Sequence, residues 1–219
     1  MNRLLKLKFL IFLIFPVYTF GQEVYTQLPS EINVSEKYVF YVHGLIVEGD
    51  NQTPEHPEYG IYDFPSIKEK IFEIGGFNLI AHHRPKDTDI DEYVDLFSSW
   101  VSSLLESGVP ASNITLIGFS RGSHLAALTA ARFNSHSINT VLMAGCFNGD
   151  MIFDPPVTLG GRLLSIYETT DTLGSCQKLA SRSKLKTFDE HYITTGLKHG
   201  AFYRPLEAWL VHIREWVLK

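Results

Sequence analysis

The chain has 219 residues, 45% of them hydrophobic, and a formal net charge of -5. That suffices for one sizeable core and is too short for two ordinary domains, so one domain over residues 22–219 is expected. The mild acidity and the lack of any Lys/Arg block argue against nucleic acid as a partner.

Residues 1–21 read as a segment outside the fold. Arg3, Lys6 and Lys8 precede an apolar run from Phe9 to Phe15, and small Thr19 and Gly21 stand just before polar Gln22. That order is a secretory signal peptide cleaved after Gly21, which sends the mature protein to the periplasm or outside the cell. The run is short for a membrane span, so no stable membrane insertion is expected after cleavage; the alternative is an uncleaved N-terminal anchor.

Tyr38-Val39-Phe40-Tyr41-Val42 is a continuous apolar strand of the kind buried on both faces of a parallel sheet, and it ends in His43-Gly44. His43 is expected to pack and hydrogen-bond within its loop rather than to move protons. Residues 46–63 follow as a long polar loop with Gly49, Pro54, Pro57 and Gly60. Loops of this length tend to serve a site, so Tyr59, Tyr62 and Phe64 are candidates for a pocket rim; the alternative is a plain surface excursion.

Pro65 opens a helix through Ile67, Ile71 and Ile74 that Gly75-Gly76 stops, and Phe77–Ala81 is the next strand. His82-His83 lack a spaced third ligand. Asp87, Asp89, Asp91 and Glu92 lack the glycine and the closing glutamate of a calcium loop, so no metal or other cofactor is expected. These acids read instead as the N-terminus of a helix over Ile90–Glu106.

Asn113–Ala131 carries the strongest signal. An Ile-Thr-Leu-Ile run leads into Gly118-Phe119-Ser120-Arg121-Gly122, and Leu125, Ala126, Leu128 and Thr129 continue at helical spacing. A G-x-S-x-G turn between strand and helix is a nucleophile elbow: Ser120 stands exposed, the glycines remove side chains that would clash, and the N–H of Arg121 serves as an oxyanion donor. The His43-Gly44 strand end supplies the second donor, the N–H of Leu45. Further strands are expected over Ile138–Ala144, Leu163–Tyr167 and Thr187–Ile193. A C-terminal helix then presents Leu206, Trp209, Leu210, Ile213, Trp216 and Val217 on one face.

Asp171 follows the penultimate strand and His199 the last. Ser120, Asp171 and His199 thus each lie just beyond an expected strand, in the order nucleophile, acid, histidine. Among nine histidines, His124 lies one turn past Ser120 and faces core or solvent, and His191 falls within a strand. Glu168, at the strand edge, is the alternative acid to Asp171. The Arg121 side chain either binds an anionic substrate group or is solvated. The two cysteines, Cys146 at a strand end and Cys176 after the acid loop, are expected to form a disulfide in an oxidising compartment if their strands are neighbours. The alternative is two buried free thiols.

On His43-Gly44-Leu45, the Ser120 elbow, Asp171 and His199-Gly200, residues 37–219 resemble the α/β-hydrolase superfamily, in particular small, cap-less, secreted bacterial serine hydrolases. The resemblance implies an α/β-hydrolase fold with a mainly parallel sheet and helices on both faces. It implies Ser120 as nucleophile, His199 as general base then acid, Asp171 fixing the imidazole, and acyl transfer to water on a small-molecule acyl substrate. Two departures matter. The chain between Ser120 and Asp171 has no room for a helical cap, and the segment before Tyr38 is too short for the usual leading antiparallel strands. A sheet of about six strands with an open, loop-covered site is therefore expected. Hydrolysis of a carboxylic ester is the leading expectation; a peptidase or thioesterase on the same triad, or a non-catalytic binding protein on the same fold, are the alternatives.

Overall fold

The computed structural model describes residues 22–151 and 156–219, so the expected signal peptide lies outside the described residues. In chain order the strands are β1 (Val24–Tyr25), β2 (Tyr38–Val42), β3 (Glu55–His56), β4 (Gly60–Ile61), β5 (Asn78–Ile80), β6 (Ile114–Phe119), β7 (Asn139–Met143), β8 (Gly160–Glu168) and β9 (Lys184–Ile193). The helices are α1 (Phe64–Phe72), α2 (Ile90–Glu106), α3 (Arg121–Ala131), α4 (Gln177–Arg182) and α5 (Glu207–Leu218).

Seven strands form one sheet in the order β1-β5-β2-β6-β7-β8-β9, and every neighbouring pair is parallel. β3 and β4 form a separate antiparallel hairpin. The sheet thus has seven strands where about six were expected; β1, at one edge, is too short to leave a sequence pattern.

Side-chain alternation explains why the strands read as unbroken apolar runs. In β2, Val39 and Tyr41 point into a core shared with Ile67 and Ile71 of α1 and with Trp209, Ile213 and Trp216 of α5. Tyr38, Phe40 and Val42 point to the opposite core, with Phe97 and Val101 of α2 and Leu125 and Ala126 of α3. Both faces are covered, so all five residues of β2 are buried. Acids fix the helix starts, Asp89 as expected and Asp63 in addition to the expected Pro65. Asp63 Oδ1 accepts from Ser66 N–H and Asp89 Oδ1 from Glu92 N–H, each at 3.0 Å.

The order also places the site. From β2 the chain crosses to β5 on one side and returns to β6 on the other, so the crevice of an open α/β sheet opens where β2 and β6 end. His43-Gly44, Ser120, Asp171 and His199 follow β2, β6, β8 and β9 respectively, all at the carboxyl edge. The expected rim aromatics divide. Tyr62 and Phe64 are fully buried beneath the loop, so they are core residues and not a pocket rim.

Candidate active site

β6 is buried along its whole length and runs directly into α3, with Ser120 between them at φ 53° and ψ -117°. A non-glycine residue held in so sparsely populated a region is strained by roughly 1–3 kcal/mol and persists only where its surroundings over-determine it. A Cβ on Gly118 would lie 2.3 Å from Gly122 O, and one on Gly122 would lie 1.9 Å from Val42 O, so only glycine lets β2, β6 and α3 meet this closely. Ser120 N–H donates to Met143 O at 2.9 Å, tying the elbow to β7. Ser123 Oγ lies within hydrogen-bond reach of Gly118 O at 2.7 Å and Met143 O at 2.9 Å. The Arg121 N–H, first in α3, has no carbonyl one turn back to bond and sits at the positive end of the helix.

β2 delivers His43-Gly44-Leu45 beside this elbow. A Cβ on Gly44 would lie 3.1 Å from the Phe119 ring and 3.8 Å from Ser120 Cβ. His43 is fully buried. Its Nδ1–H donates to Gly44 O at 2.8 Å and its Nε2 accepts from Arg84 N–H at 3.0 Å, which occupies both nitrogens in one neutral tautomer. Burial above all, and then the Arg84 cation, hold its pKa well below the usual imidazole range.

Across the crevice, His199 Nδ1 lies 2.6 Å from Asp171 Oδ2, with the carboxylate side chain 4% exposed and the imidazole 15%. The His199 ring packs on Phe119 at 4.8 Å between centroids and faces Tyr59 at 5.9 Å, so the imidazole stands over the residue that precedes Ser120. Among the described residues its hydrogen bond goes to Asp171 and none links it to Ser120 Oγ; contacts of that kind tighten in substrate complexes.

Glu168, the alternative acid, has a different task. It is fully buried. One carboxylate oxygen accepts from Thr170 N–H at 2.6 Å and Thr170 Oγ1 at 2.5 Å, and the other from Thr195 N–H at 2.9 Å and Gly196 N–H at 3.0 Å. A single carboxylate thereby staples the loop carrying Asp171 to the loop leading to His199. Burial raises its pKa, but these bonds more than offset that and hold it below the usual carboxylate value. Farther along, Glu190 of β9 accepts from Ser175 Oγ at 2.8 Å and Cys176 N–H at 2.7 Å. Cys146 and Cys176 are joined by a disulfide, with Cα atoms 5.3 Å apart. Residues 169–176 are thus held at both ends.

Three further histidines are engaged elsewhere. His124 reaches the Gly145 backbone, His191 stacks on His212 of α5 at 4.1 Å, and His83 Nε2–H donates to Val47 O at 2.6 Å. Tyr59 alone of the three expected aromatics borders the site, at the edge of an open cleft of about 500 Å³ that Leu197, Lys198 and Arg204 also line. Sequence reasoning missed the anchoring groups Arg84 and Glu190, and named Glu168 only as a rival catalytic acid. Their signal is only a charged residue within or just beyond a strand, which gains meaning once its partners are known.

Two outcomes follow from these contacts. Glu168→Gln places an amide N–H₂ against N–H donors, so the variant should lose about 1–3 kcal/mol in urea unfolding, the usual cost of leaving buried groups unpaired; an unchanged midpoint would contradict the stapling role. Separately, burial first and then Arg84 lower the pKa of His43 and His82, burial and Arg121 that of His124, and burial and His191 that of His212. Such a histidine takes up a proton on unfolding, so its stabilisation is complete above the unfolded value of about 6.5 and is lost as pH falls through that value toward the folded pKa. The urea midpoint should therefore drop between about pH 7.5 and 5.5, and a midpoint that held or rose would be the wrong sign.

No protein-family model matches the sequence, and no curated protein matches it. Solved structures do. The esterase RhEst1 from Rhodococcus sp. ECU1013 superposes with a TM-score of 0.54 at 13% identity, covering 85% of this chain and 92% of that one. A lipase-esterase related protein from Clostridium acetobutylicum gives 0.52 at 14%, over 84% and 96%. SOBER1 from Arabidopsis thaliana gives 0.53 at 11%, over 84% and 98%. At such identities the likeness is one of architecture, and that architecture is the α/β-hydrolase fold.

Proposed function

We propose that the protein is a serine hydrolase that cleaves carboxylic esters of small molecules through an acyl-enzyme on Ser120. The observation that carries this reading is the 2.6 Å Asp171–His199 pair, set on anchored loops beside a strained Ser120 elbow. His199 Nε2 takes the Ser120 Oγ proton as the oxygen attacks the ester carbonyl, while Asp171 holds Nδ1–H and stabilises the imidazolium. The oxyanion accepts from the N–H groups of Leu45 and Arg121. Collapse of the tetrahedral adduct breaks the C–O bond, and the imidazolium gives its proton to the leaving alcohol. Water, deprotonated by His199, then releases the carboxylic acid and restores Ser120. Esterases among proteins of the same fold support an ester over an amide.

Export belongs to the same reading. Residues 1–21 carry the order of a secretory signal, and a joined Cys146–Cys176 pair suits an oxidising compartment. Residues 22–219 then act as one catalytic unit.

The test is hydrolysis of p-nitrophenyl esters of graded chain length, with thioester and aminoacyl substrates alongside, together with labelling by a fluorophosphonate. Ser120→Ala should abolish labelling and lower kcat by on the order of 10⁴ to 10⁶. Asp171→Asn should lower it by about 10³ to 10⁴. Labelling and turnover that survive in Ser120→Ala would refute the mechanism, and a greater loss of kcat in Glu168→Gln than in Asp171→Asn would reverse the choice of acid.

A further inference from the structure

Arg84 is fully buried, an unusual place for a guanidinium, and it lies at the carboxyl edge just past β5. Its Nε donates to Glu48 Oε1 at 3.1 Å, and that carboxylate side chain is itself only 8% exposed. Its Nη2 donates to two backbone carbonyls, His43 O at 2.7 Å and Gly44 O at 3.2 Å. Its own N–H donates to His43 Nε2 at 3.0 Å, and the His43 ring in turn donates to Gly44 O. The guanidinium plane lies over the Tyr93 ring, 5.4 Å from its centroid. The backbone contacts converge on the turn after β2 at His43 and Gly44, while Glu48 and Tyr93 hold the guanidinium itself.

The consequence follows from peptide geometry. Gly44 O and the Leu45 N–H belong to one planar trans peptide, so they point in opposite directions. Two donors, Arg84 Nη2 and His43 Nδ1, pin Gly44 O toward the buried side. The Leu45 N–H then points away from the buried side, at a turn where a Cβ on Gly44 would lie 3.8 Å from Ser120 Cβ. A cation on the carbonyl also withdraws electron density through the amide and strengthens its N–H as a donor.

We propose that Arg84, clamped by Glu48, is a positioning residue that aims the Leu45 N–H at the oxyanion by binding the carbonyl of the same peptide. The proposal rests on the serine acyl-transfer reading above. Arg84 touches no substrate; it acts through the backbone. The planar fork matters, because one guanidinium has to reach Glu48 with one nitrogen and two carbonyls with another, and a lysine ammonium offers no such rigid spread.

Two variants test this. Arg84→Lys keeps the charge and loses the fork. Arg84→Met combined with Glu48→Leu removes both charges, so that no buried carboxylate is left unpaired. Active sites are first counted by titration to completion with the fluorophosphonate, and kcat is expressed per titrated site on p-nitrophenyl acetate. Affinity for an alkylboronic acid, which forms a tetrahedral adduct on the serine, is measured beside it. The double variant should lose about 10- to 100-fold in kcat per site, the scale set by misplacing a catalytic group by a fraction of an ångström to an ångström. KM should stay within about two-fold and the boronate should weaken in parallel, because the misplaced donor serves the tetrahedral state alone. Arg84→Lys should fall between the double variant and the wild type, and it carries the test if the double variant does not fold. Fewer titratable sites at an unchanged kcat per site, with unchanged boronate affinity, would show that the ion pair serves folding only and would overturn the proposal. A wild type that never labels at Ser120 would instead remove the acyl-enzyme reading itself, and the proposal with it.

Discussion

A Cβ on Gly122 would sit 1.9 Å from the carbonyl of Val42, and one on Gly118 2.3 Å from the carbonyl of Gly122. These two approaches pull the end of β2, the end of β6 and the start of α3 into one knot, and Ser120 has to turn through φ 53° to pass it. The strain is tolerated because the flanking segments are locked. β6 is buried from Ile114 to Phe119, and α3 buries Leu125, Ala126 and Ala127 against the sheet. Each large apolar side chain buried in this way contributes about 1.5–3 kcal/mol, which outweighs the backbone distortion several times over. The result is a side chain that stands proud of the sheet at the point where its strand order reverses.

The loops around the knot are held by charged side chains that bind chiefly backbone, the Arg84–Glu48 pair being the ion pair among them. On one side, a cation, Arg84, collects carbonyls of the turn after β2. On the other, two carboxylates, Glu168 and Glu190, collect N–H groups of the loops after β8 and β9. A buried carboxylate ringed by N–H donors keeps its charge and fixes several peptides at once. The disulfide adds a covalent tie at Cys176, five residues past Asp171. Loops built this way do not need a second layer of structure above them, which fits a chain whose described residues hold no helix between β7 and β8.

Much of the fold was legible because strands covered on both faces have to be continuously apolar. The Tyr38–Val42 run and the Ile114–Phe119 run announced themselves, and the limits of α2 coincide with the acids before Ile90 and with Gly108 after it. The parts that escaped have physical reasons. β8 begins three residues earlier than its apolar run, because Gly160 and Gly161 pass within 2.4 Å and 2.1 Å of backbone oxygens at the position a Cβ would take; glycine in a strand reads as a turn until that close approach is known. β9 starts on Lys184 and Lys186 because it is an edge strand, where charge is favoured over alternation. α4, at six residues, is too short to show a period. At the site, chain order placed Ser120, Asp171 and His199 at one edge, whereas the Thr195 N–H that Glu168 binds, near in space and 27 residues away in sequence, had no local signature.

The claim most worth testing is that Ser120 itself becomes acylated. Rapid mixing with a p-nitrophenyl ester of a bulky, slowly deacylating acid, followed by an acid quench and intact-mass analysis, reads this directly. The account predicts a burst of nitrophenolate equal to the concentration of active sites. It also predicts a protein mass increased by the acyl group, with the adduct mapped to the peptide bearing Ser120 and absent from Ser120→Ala. Turnover with no burst and no adduct, or an adduct on another residue, would contradict it.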